Sequence, residues 1–302
     1  MRLAMVGLGR MGMNMARRLI NGGHRVVAYN RSRDKVDLLS REGALGAYSL
    51  EEVVEKLDQP RIIWIMLPAG PPVDDHIDRL LPLISKGDII IEGGNSFYRD
   101  DIKRSETLEK RGIRYMDAGV SGGIRGLKNG YCLMLGGDKE TFGYLEPVFE
   151  TLAPEGGFLH CGAAGAGHFV KMIHNGIEYG MMQAYGEGFE LLEASPYSGS
   201  FNYREISHLW NQGSVIRSWL LELAEDAFAG GDKLDDIKGY IEDSGEGRWT
   251  VQHAVESGVS APVTTLSLMR RFESQTRDSF SDRFVAALRR EFGGHAVKEK
   301  VK

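Results

Sequence analysis

LAMVGLGRMGMNMARRLI, residues 3–20, is the stretch that decides the fold. Its first four residues are apolar, three glycines spaced as Gly-x-Gly-x-x-Gly follow, and the remainder has the spacing of an amphipathic helix. A second apolar run begins at Val26, so the pattern predicts a strand, a glycine turn, a helix and another strand. Such a βαβ unit, with its glycines between strand and helix, is typical of dinucleotide-binding domains.

The three glycines have different expected tasks. We expect Gly7 to make the tight turn, Gly9 to let a pyrophosphate approach the backbone, and Gly12 to allow close packing of helix and strand. The helix N-terminus, at Arg10 and Met11, would offer its amides to the pyrophosphate. The motif alone is weak evidence, and its position between a predicted strand and helix favours a nucleotide site over a turn that binds nothing.

The end of the second strand bears on which dinucleotide is used. An NAD enzyme usually places Asp or Glu there to accept a hydrogen bond from the ribose, whereas this chain has Asn30, Arg31 and Ser32. These residues, with Arg33, suit a 2′-phosphate better, so NADP is favoured over NAD. Arginines on a solvated surface would give the same pattern, and NAD therefore stays open.

Further apolar runs alternate with helical stretches and predict strands over residues 61–67, 88–92, 114–118 and 131–135. The alternation predicts an α/β Rossmann-like domain with a doubly wound parallel sheet, over residues 1–164. Ligands bind at the carboxyl ends of the strands in such sheets. The loop residues there that we expect at the ligand are Leu67, Pro68, Asn95, Ser121, Gly122 and Gly123.

Composition narrows the class of protein. The 302 residues are 42% hydrophobic and 26% charged, values of an ordinary globular chain of two domains, and no run of apolar residues is long enough to span a bilayer. A net charge of −5 without a basic stripe argues against nucleic acid or an anionic membrane as partner. Two cysteines are too few for a disulfide framework or a metal site. We therefore expect no bound metal. No signal peptide precedes the first strand, so a cytoplasmic location is expected.

A polar row interrupts the next predicted helix. Residues 165–302 read as an all-α domain, and Lys171, His174, Asn175 and Glu178 project within a ~100° arc of its first helix. The flanking positions are apolar nearly all round, which predicts a deeply buried helix rather than a surface helix with a solvated stripe. Buried charged side chains need hydrogen-bond or ion-pair partners, or a role in binding or catalysis. Oxidation of an alcohol by hydride transfer requires a base, and a desolvated lysine can serve as one.

Four motifs together resemble the decarboxylating 6-phosphogluconate dehydrogenases. They are GLGRMGMN at 7–14, GGNS at 93–96, VSGG at 120–123, and GAGHFVKMIHNGIEY at 165–179. The last is highly specific, whereas the first and third are shared with the wider β-hydroxyacid dehydrogenase superfamily. The length resembles the compact bacterial form with one helical repeat. The resemblance implies oxidation and decarboxylation of 6-phosphogluconate in the pentose phosphate pathway, with NADP or NAD as cofactor.

The resemblance also implies roles for individual residues. Lys171 would be the base and later the acid at the substrate C3 oxygen, and Glu178 would protonate the enediol. His174 and Asn175 would orient the reacting groups, and Met11 and Asn95 would lie against the nicotinamide. The residues that would bind substrate are Asn95, Ser121, Gly122, Gly123, Tyr179, Arg271, Arg289 and His295.

Two further regions bear on the resemblance, a loop that departs from the family motif and the C-terminal tail. SGEGRWT at 244–250 replaces the family's KGTGKWT, so Ser244 and Glu246 stand where a lysine and a threonine bind phosphate. A glutamate repels a phosphate, so Glu246 would point away or the loop would be used differently, with Arg248 supplying charge. Arg270 is the alternative to Arg271 as the arginine that binds the substrate phosphate.

In the tail, Arg289 and His295 would complete the site of a neighbouring copy, which implies a homodimer or homotetramer.

Two other functions stay open. A 3-hydroxyisobutyrate-type dehydrogenase would share the glycine motif, the serine-glycine loop and the lysine helix, but would not decarboxylate. The features that argue against it are His174 before Asn175, the pair Glu178-Tyr179, and the tail residues Arg289 and His295. A regulatory protein that senses nucleotides without catalysis is the other class, and an intact polar row argues against that.

Overall fold

The structure is a computed structural model that describes residues 1–231, 234–235, 237–276, 279, 281 and 283. Within it the chain forms two compact units, residues 1–174 and residues 175–302. The sequence predicts a domain boundary at residue 165, and this boundary stays a prediction. One long helix begins at Ala166 and runs across the boundary between the two compact units.

The first unit contains one eight-stranded sheet. Its strands are β1 (Arg2–Val6), β2 (Arg25–Tyr29), β3 (Leu45–Ala47), β4 (Ile62–Ile65), β5 (Ile89–Glu92), β6 (Arg114–Ser121), β7 (Cys132–Gly137) and β8 (Phe158–Gly162). Their order across the sheet is β3-β2-β1-β4-β5-β6-β7-β8. The helices are α1 (Arg10–Asn21), α2 (Arg33–Arg41), α3 (Leu50–Glu55), α4 (Pro71–Leu80), α5 (Tyr98–Glu109), α6 (Gly126–Asn129) and α7 (Lys139–Leu152). The order of the first six strands confirms the Rossmann-like prediction.

Both faces of this sheet are buried, as a parallel sheet requires. Met5 and Trp64 belong to a core on one face, and their neighbours Val6 and Ile65 belong to a core on the other. All four side chains are inaccessible to solvent. This explains why the strands read as continuous apolar runs rather than as alternating patterns.

The sheet is not fully parallel, and the prediction was wrong in this respect. β7 runs antiparallel to β6, while the other adjacent pairs are parallel. Only the short segment from Gly122 to Tyr131 separates β6 from β7, and a parallel return needs a crossover of about a dozen residues or more. The strands β3 and β8 were not predicted. β3 has three residues, and β8 carries His160 and Cys161, so neither gives a strong apolar run.

The helix α8 (Ala166–Glu193) carries the polar row, and the second unit continues with α9 (Tyr203–Trp210), α10 (Trp219–Ala227), α11 (Glu246–Ser257) and α12 (Pro262–Gln275). Among the described residues of this unit the regular elements are all helical, which agrees with the all-α prediction. The aromatic ring of Phe189 packs against the rings of Tyr203, Trp210 and Phe228 at centroid distances of 5.8, 5.5 and 5.0 Å.

The predicted deep burial of α8 on all sides is wrong. Val170 is 40% exposed, Ile177 58%, Met181 39% and Leu191 73%. Their spacing of three, four or seven residues, or sums of these, places them on one side of the helix. An apolar sequence pattern does not say which faces find partners in the same chain, and the described residues leave this face of α8 exposed.

Candidate active site

The glycine turn has the geometry that a dinucleotide requires. Gly7 has a φ of +102°, which a residue with a side chain rarely adopts. A Cβ at Gly12 would lie 2.1 Å from the carbonyl oxygen of Gly7, so only glycine fits the contact between α1 and the turn. A Cβ at Gly9 would meet no heavy atom within 4 Å. In the described part of the chain no side chain caps α1, and the amides of an uncapped helix N-terminus are suited to bind a pyrophosphate.

The second strand ends in a polar side chain that braces the turn. Oδ1 of Asn30 accepts the Leu8 amide at 3.0 Å, and its Nδ2 donates to the carbonyl of Ser32 at 3.3 Å. Arg31 and Ser32 are exposed. Arg33 stacks over the ring of Tyr48, with 5.6 Å from Cζ to the ring centroid. Asn30 thus shapes the turn, and cationic side chains follow it.

The loops after β4 and β5 lie against each other in this unit. A Cβ at Gly94 would lie 2.2 Å from the carbonyl oxygen of Leu67, and Pro68 next to it is exposed. Asn95 has a φ of +55°, and its Oδ1 accepts the Val120 amide at 3.2 Å. This hydrogen bond joins the loop after β5 to the end of β6, beside Ser121.

Helix α8 begins close against β6 and β7. A Cβ at Gly119 would lie 2.4 Å from Cβ of Lys171, and a Cβ at Gly167 would lie 2.3 Å from the carbonyl oxygen of Met134. A side chain at Gly136 would meet Oδ1 of Asp117 at 2.3 Å. Because these three glycines have no side chains, α8 can pack closely against β6 and β7, which places Lys171 directly over the end of β6.

Asp117 anchors the start of that helix. Its Oδ1 accepts the Gly165 amide at 2.6 Å and its Oδ2 accepts the His168 amide at 2.7 Å. A carboxylate at this point satisfies amides of the first turn and is favoured by the helix dipole. Burial raises the pKa of Asp117, against the lowering effect of His168 and the two amides. Sequence reasoning treated Asp117 only as part of a strand.

The first two members of the polar row lie beside the serine-glycine loop. Lys171 is only 5% exposed, and its Nζ lies 3.4 Å from Nδ1 of His174. Nε2 of His174 lies 3.5 Å from Oγ of Ser121. Gly122 and Gly123 follow with φ of +136° and +54°, and a Cβ at Gly123 would meet nothing within 4 Å. The structure thus brings together a buried lysine, an imidazole, a hydroxyl and an open backbone.

In the second unit, Tyr179 is the centre of a separate polar group. Asn175 and Tyr179 are buried on α8, and Glu178 is partly buried. The Tyr179 hydroxyl lies 3.3 Å from Oγ of Ser244, which donates to Oε2 of Glu246 at 2.5 Å. Glu246 is 9% exposed. Glu246 thus takes part, through Ser244, in the group around Tyr179.

The arginines of this unit are distinguished by their contacts. Cζ of Arg271 lies 3.4 Å from the ring centroid of Tyr179, and its Nη1 donates to the carbonyl of Glu242 at 2.8 Å. Arg270 pairs with Glu273 at the surface. Arg271 is therefore the arginine that reaches the tyrosine.

Arg248, the other cationic side chain that the altered loop offers, has contacts of its own. It pairs with Asp243 and stacks over the ring of Phe272, with 4.4 Å from Cζ to the centroid. The tail residues Arg289 and His295 lie outside the described residues.

The comparisons with known proteins cover the whole chain. Residues 2–164 match the family model of the NAD binding domain of 6-phosphogluconate dehydrogenase, and residues 167–300 match that of its C-terminal domain. The chain belongs to the 6-phosphogluconate dehydrogenase family. It is thereby an oxidoreductase with a nicotinamide dinucleotide as cofactor.

Relatives of the same length share this assignment. The chain is 50% identical over 300 residues to a putative 6-phosphogluconate dehydrogenase of Bacillus subtilis, covering 99% of this chain and 100% of the relative. It is 42% identical over 303 residues to the NAD(+)-dependent, decarboxylating 6-phosphogluconate dehydrogenase of Haloferax volcanii, covering 99% of both.

Solved structures show the same fold. The Plasmodium falciparum 6-phosphogluconate dehydrogenase, studied with NADP+ and with 6-phosphogluconate, superposes with a TM-score of 0.83 at 26% identity, over 100% of this chain and 67% of that one. A Mycobacterium tuberculosis 3-hydroxyisobutyrate dehydrogenase superposes with a TM-score of 0.71 at 24% identity, over 88% and 90%. The second likeness concerns the fold alone. Among the described residues, no helix has both the length and the apolar character of a membrane span.

Proposed function

We propose that this family member oxidises and decarboxylates 6-phosphogluconate, giving ribulose 5-phosphate and carbon dioxide. The observation that carries the proposal is Lys171, buried beside His174 and Ser121 on the helix that continues to Asn175 and Glu178. A buried amine next to a hydroxyl-bearing loop is the arrangement that proton abstraction from a bound alcohol needs.

The cofactor fits the first unit. The tight contact at Gly12, the open space at Gly9 and the uncapped first turn of α1 form a cradle for a pyrophosphate. Arg10 and Met11 would lie along it, with Leu67, Pro68 and Asn95 on the neighbouring loops. When bound, the oxidised nicotinamide accepts the hydride from C3 of the substrate.

In the first step, Lys171 in its unprotonated form takes the proton of the C3 hydroxyl, and a 3-keto acid results. The protonated lysine then donates to the C3 oxygen while the bond between C1 and C2 breaks and carbon dioxide leaves. The electrons of that bond form an enediol, and the ammonium stabilises its developing negative charge. One residue thus acts first as base and then as acid.

Glu178 completes the reaction in this proposal. It stands seven residues after Lys171 on α8, two helical turns along the same face. Glu178 donates a proton to the carbon that was C2 of the substrate, which becomes C1 of ribulose 5-phosphate. Neutral Lys171 takes back the proton on the former C3 oxygen, so that the carbonyl of the product forms. His174 and Asn175 orient the reacting hydroxyl and carboxylate.

Substrate binding is divided among the proposed ligands. Ser121, Gly122, Gly123 and Asn95 would take the carboxyl end, because the loop offers a hydroxyl and approachable amides. Tyr179 and Arg271 would take the phosphate, supported by the guanidinium that lies over the tyrosine ring. Arg289 and His295 of a neighbouring copy would contribute there as well.

NADP remains our favoured cofactor. The cationic side chains after β2, Arg31 and Arg33, suit a 2′-phosphate, and no carboxylate stands at Asn30 to accept from a ribose hydroxyl. The Haloferax relative is named as NAD(+)-dependent, so the preference needs measurement. A ratio of kcat/KM for NADP over NAD above 10 supports it, and a ratio below 1 contradicts it.

A homodimer or homotetramer is the proposed assembly. The exposed apolar side chains of Ile177 and Leu191 on α8, and of Val263 and Leu266 on α12, support it, because a second copy could bury them. A cytoplasmic location is proposed with it, since charged sugar phosphates and dinucleotides do not cross membranes unaided.

The test of the reaction is growth of reduced-nicotinamide absorbance with 6-phosphogluconate, and trapping of the carbon dioxide released, with 3-hydroxyisobutyrate in parallel. We expect turnover and equimolar carbon dioxide with 6-phosphogluconate only. Turnover on 3-hydroxyisobutyrate alone would transfer the chain to the related class, and nucleotide binding without any turnover would favour a regulatory role.

A further inference from the structure

A cluster of buried charges lies in the first unit, apart from the polar row. It consists of Glu92 at the end of β5, Asp101 and Arg104 on α5, and His168 on α8. Glu92 and Asp101 are inaccessible to solvent, His168 is 1% exposed and Arg104 6%. The proposed reaction uses none of them.

His168 connects two of these elements. Its Nδ1 donates to Oδ2 of Asp101 at 2.8 Å, which ties the first turn of α8 to α5. Asp101 is held in turn, because the Tyr115 hydroxyl donates to its Oδ1 at 2.7 Å and Nη1 of Arg104 lies 3.5 Å from the same oxygen.

Glu92 connects the cluster to the loop of residues 93–96. Its Oε1 accepts the Gly94 amide at 2.7 Å. Its Oε2 lies 3.7 Å from Nδ1 of His168 and 3.8 Å from Nη1 of Arg104. One carboxylate therefore holds the backbone of the loop while it faces two cationic groups.

The charges in the cluster favour an imidazolium. Burial alone would lower the pKa of His168, but Asp101, Glu92 and Asp117 outweigh it and raise the pKa to about 10. Burial raises the pKa of Glu92, and Asp101 raises it further, against the effect of His168. Arg104 lies 3.5 Å from Oδ1 of Asp101 and 3.8 Å from Oε2 of Glu92, so the cluster contains a cationic side chain without an additional ion.

A metal ion is the other occupant that these side chains suggest. One ligand atom each of Glu92, Asp101 and His168 lies within 4.8 Å of the other two. Nδ1 of His168 already donates a proton to Asp101, and the Arg104 guanidinium supplies the cation that the carboxylates need. A metal ligand must be an unprotonated nitrogen, so these contacts argue against a metal.

We propose that His168 is a positioning residue that, through Asp101 and Glu92, fixes the first turn of α8 against the loop of residues 93–96. Lys171 follows His168 by about one helical turn, and Asn95 belongs to the loop, so the cluster sets the relative position of both. This inference rests on the proposed function for the roles of Lys171 and Asn95. Misplacing reacting groups by about 1 Å costs about 100-fold in rate.

Two substitutions of His168 separate positioning from packing. His168→Asn keeps an N–H near the place of Nδ1, and His168→Leu removes it while keeping most of the volume. We expect kcat to fall about 100-fold in the Leu variant and less than 10-fold in the Asn variant. Equal losses in both variants, or a kcat near wild type in the Leu variant, would overturn the proposal.

Hydrogen exchange provides a readout that does not need turnover. Faster exchange in the peptide that covers Gly94 is expected for His168→Leu and not for His168→Asn. Unchanged exchange there would overturn the proposal even if the wild type turned over no 6-phosphogluconate, an outcome that would refute the proposed function separately.

The control is Asp88→Asn. Asp88 is buried just before β5 and pairs with Arg61 at 3.0 Å, at the opposite end of the strand from Glu92. This variant should lose thermal stability and keep kcat and the exchange at Gly94. If His168→Leu does not fold, Glu92→Met against Glu92→Gln carries the test, because only Gln retains an acceptor for the Gly94 amide. Equal kcat and equal exchange in that pair would overturn the proposal.

Discussion

At the scale of single residues, the proposed reaction divides proton transfer between Lys171 and Glu178. Lys171 is nearly inaccessible to solvent and has an imidazole within 3.4 Å, and Glu178 is partly buried. The two tasks can be separated in time, because hydride transfer comes before protonation of the enediol.

Lys171→Met should abolish the first step. The variant keeps the length of the side chain but has no base, so we expect kcat to fall about 10³-fold with dinucleotide affinity retained. Steady-state kinetics and a binding titration measure both. Lys128→Met, at an exposed lysine of the same unit, is the control and should be active. Turnover near wild type would remove Lys171 from the mechanism.

Glu178→Gln should slow the last step. The amide has no proton of suitable acidity to donate, so we expect a fall of about 100-fold in steady-state kcat. Stopped-flow absorbance should show a burst of reduced nicotinamide, because hydride transfer is intact. Glu187→Gln changes an exposed glutamate of the same helix and serves as control. The absence of both a burst and a loss of rate would assign Glu178 a structural role.

The polar row could be predicted because helical periodicity makes neighbours of residues three and four apart. The partners of the row could not. Asp117 is 48 residues before Gly165 and 51 before His168, and only the fold brings its carboxylate to those amides. The one local signal was a buried-strand position occupied by a carboxylate, at Asp117 and again at Glu92.

At the scale of elements, the start of α8 depends on the absence of side chains. Gly119, Gly136 and Gly167 lie where β6, β7 and α8 meet, and each would place a Cβ within 2.4 Å of a neighbouring atom. The sequence showed these glycines only as parts of loops, strand ends or a composition change, since their contacts are between distant segments.

Gly167→Ala should disturb both stability and catalysis. The new Cβ would overlap the carbonyl oxygen of Met134, so we expect a loss of about 1–3 kcal/mol and a displaced Lys171 with lower kcat. Thermal unfolding and steady-state kinetics measure the two effects. Gly143→Ala, inside α7 with nothing within 4 Å of the new Cβ, should raise stability by about 0.5–1 kcal/mol. Equal behaviour of the two variants would contradict the close-contact argument.

At the scale of the whole molecule, the buried cluster makes stability depend on pH. The pKa of His168 is about 10 in the folded chain and about 6.5 when exposed, so folding binds a proton in this range. The stabilisation is complete below pH of about 6.5 and is lost as pH rises towards about 10. The raised pKa values of Glu92 and Asp117 also make stability decrease as pH rises, but in a lower pH range.

We therefore expect the midpoint temperature of thermal unfolding to decrease as the pH is raised from 7 to 10. His168→Leu should remove much of that slope, a difference on the order of a few kcal/mol between the ends of the range. Measuring both proteins across the range cancels the contributions of other groups, such as Cys161, whose pKa is also raised by burial. Parallel curves would mean that His168 is not an imidazolium in the folded chain.

The exposed apolar faces make a prediction about assembly. Leu191→Glu and Leu266→Glu place charges on the exposed sides of α8 and α12, where an interface would bury them at high cost. Light scattering should show a lower molar mass at micromolar concentration, with helix content retained. Leu38→Glu, at an exposed leucine of α2, should leave the mass unchanged. An unchanged mass for both test variants would place the interface elsewhere.

The sequence by itself determined the glycine turn, the first strands, the polar row and the family, because each is a local pattern of turn chemistry, periodicity or spacing. Tertiary structure decided the antiparallel β7, the exposed apolar side of α8, the place of Glu246 beside Tyr179, and the cluster around His168. The physical reason is that strand direction, burial and charge pairing depend on contacts between segments far apart in the chain. A linear pattern names the residues that need partners, and the fold alone determines which partners they find.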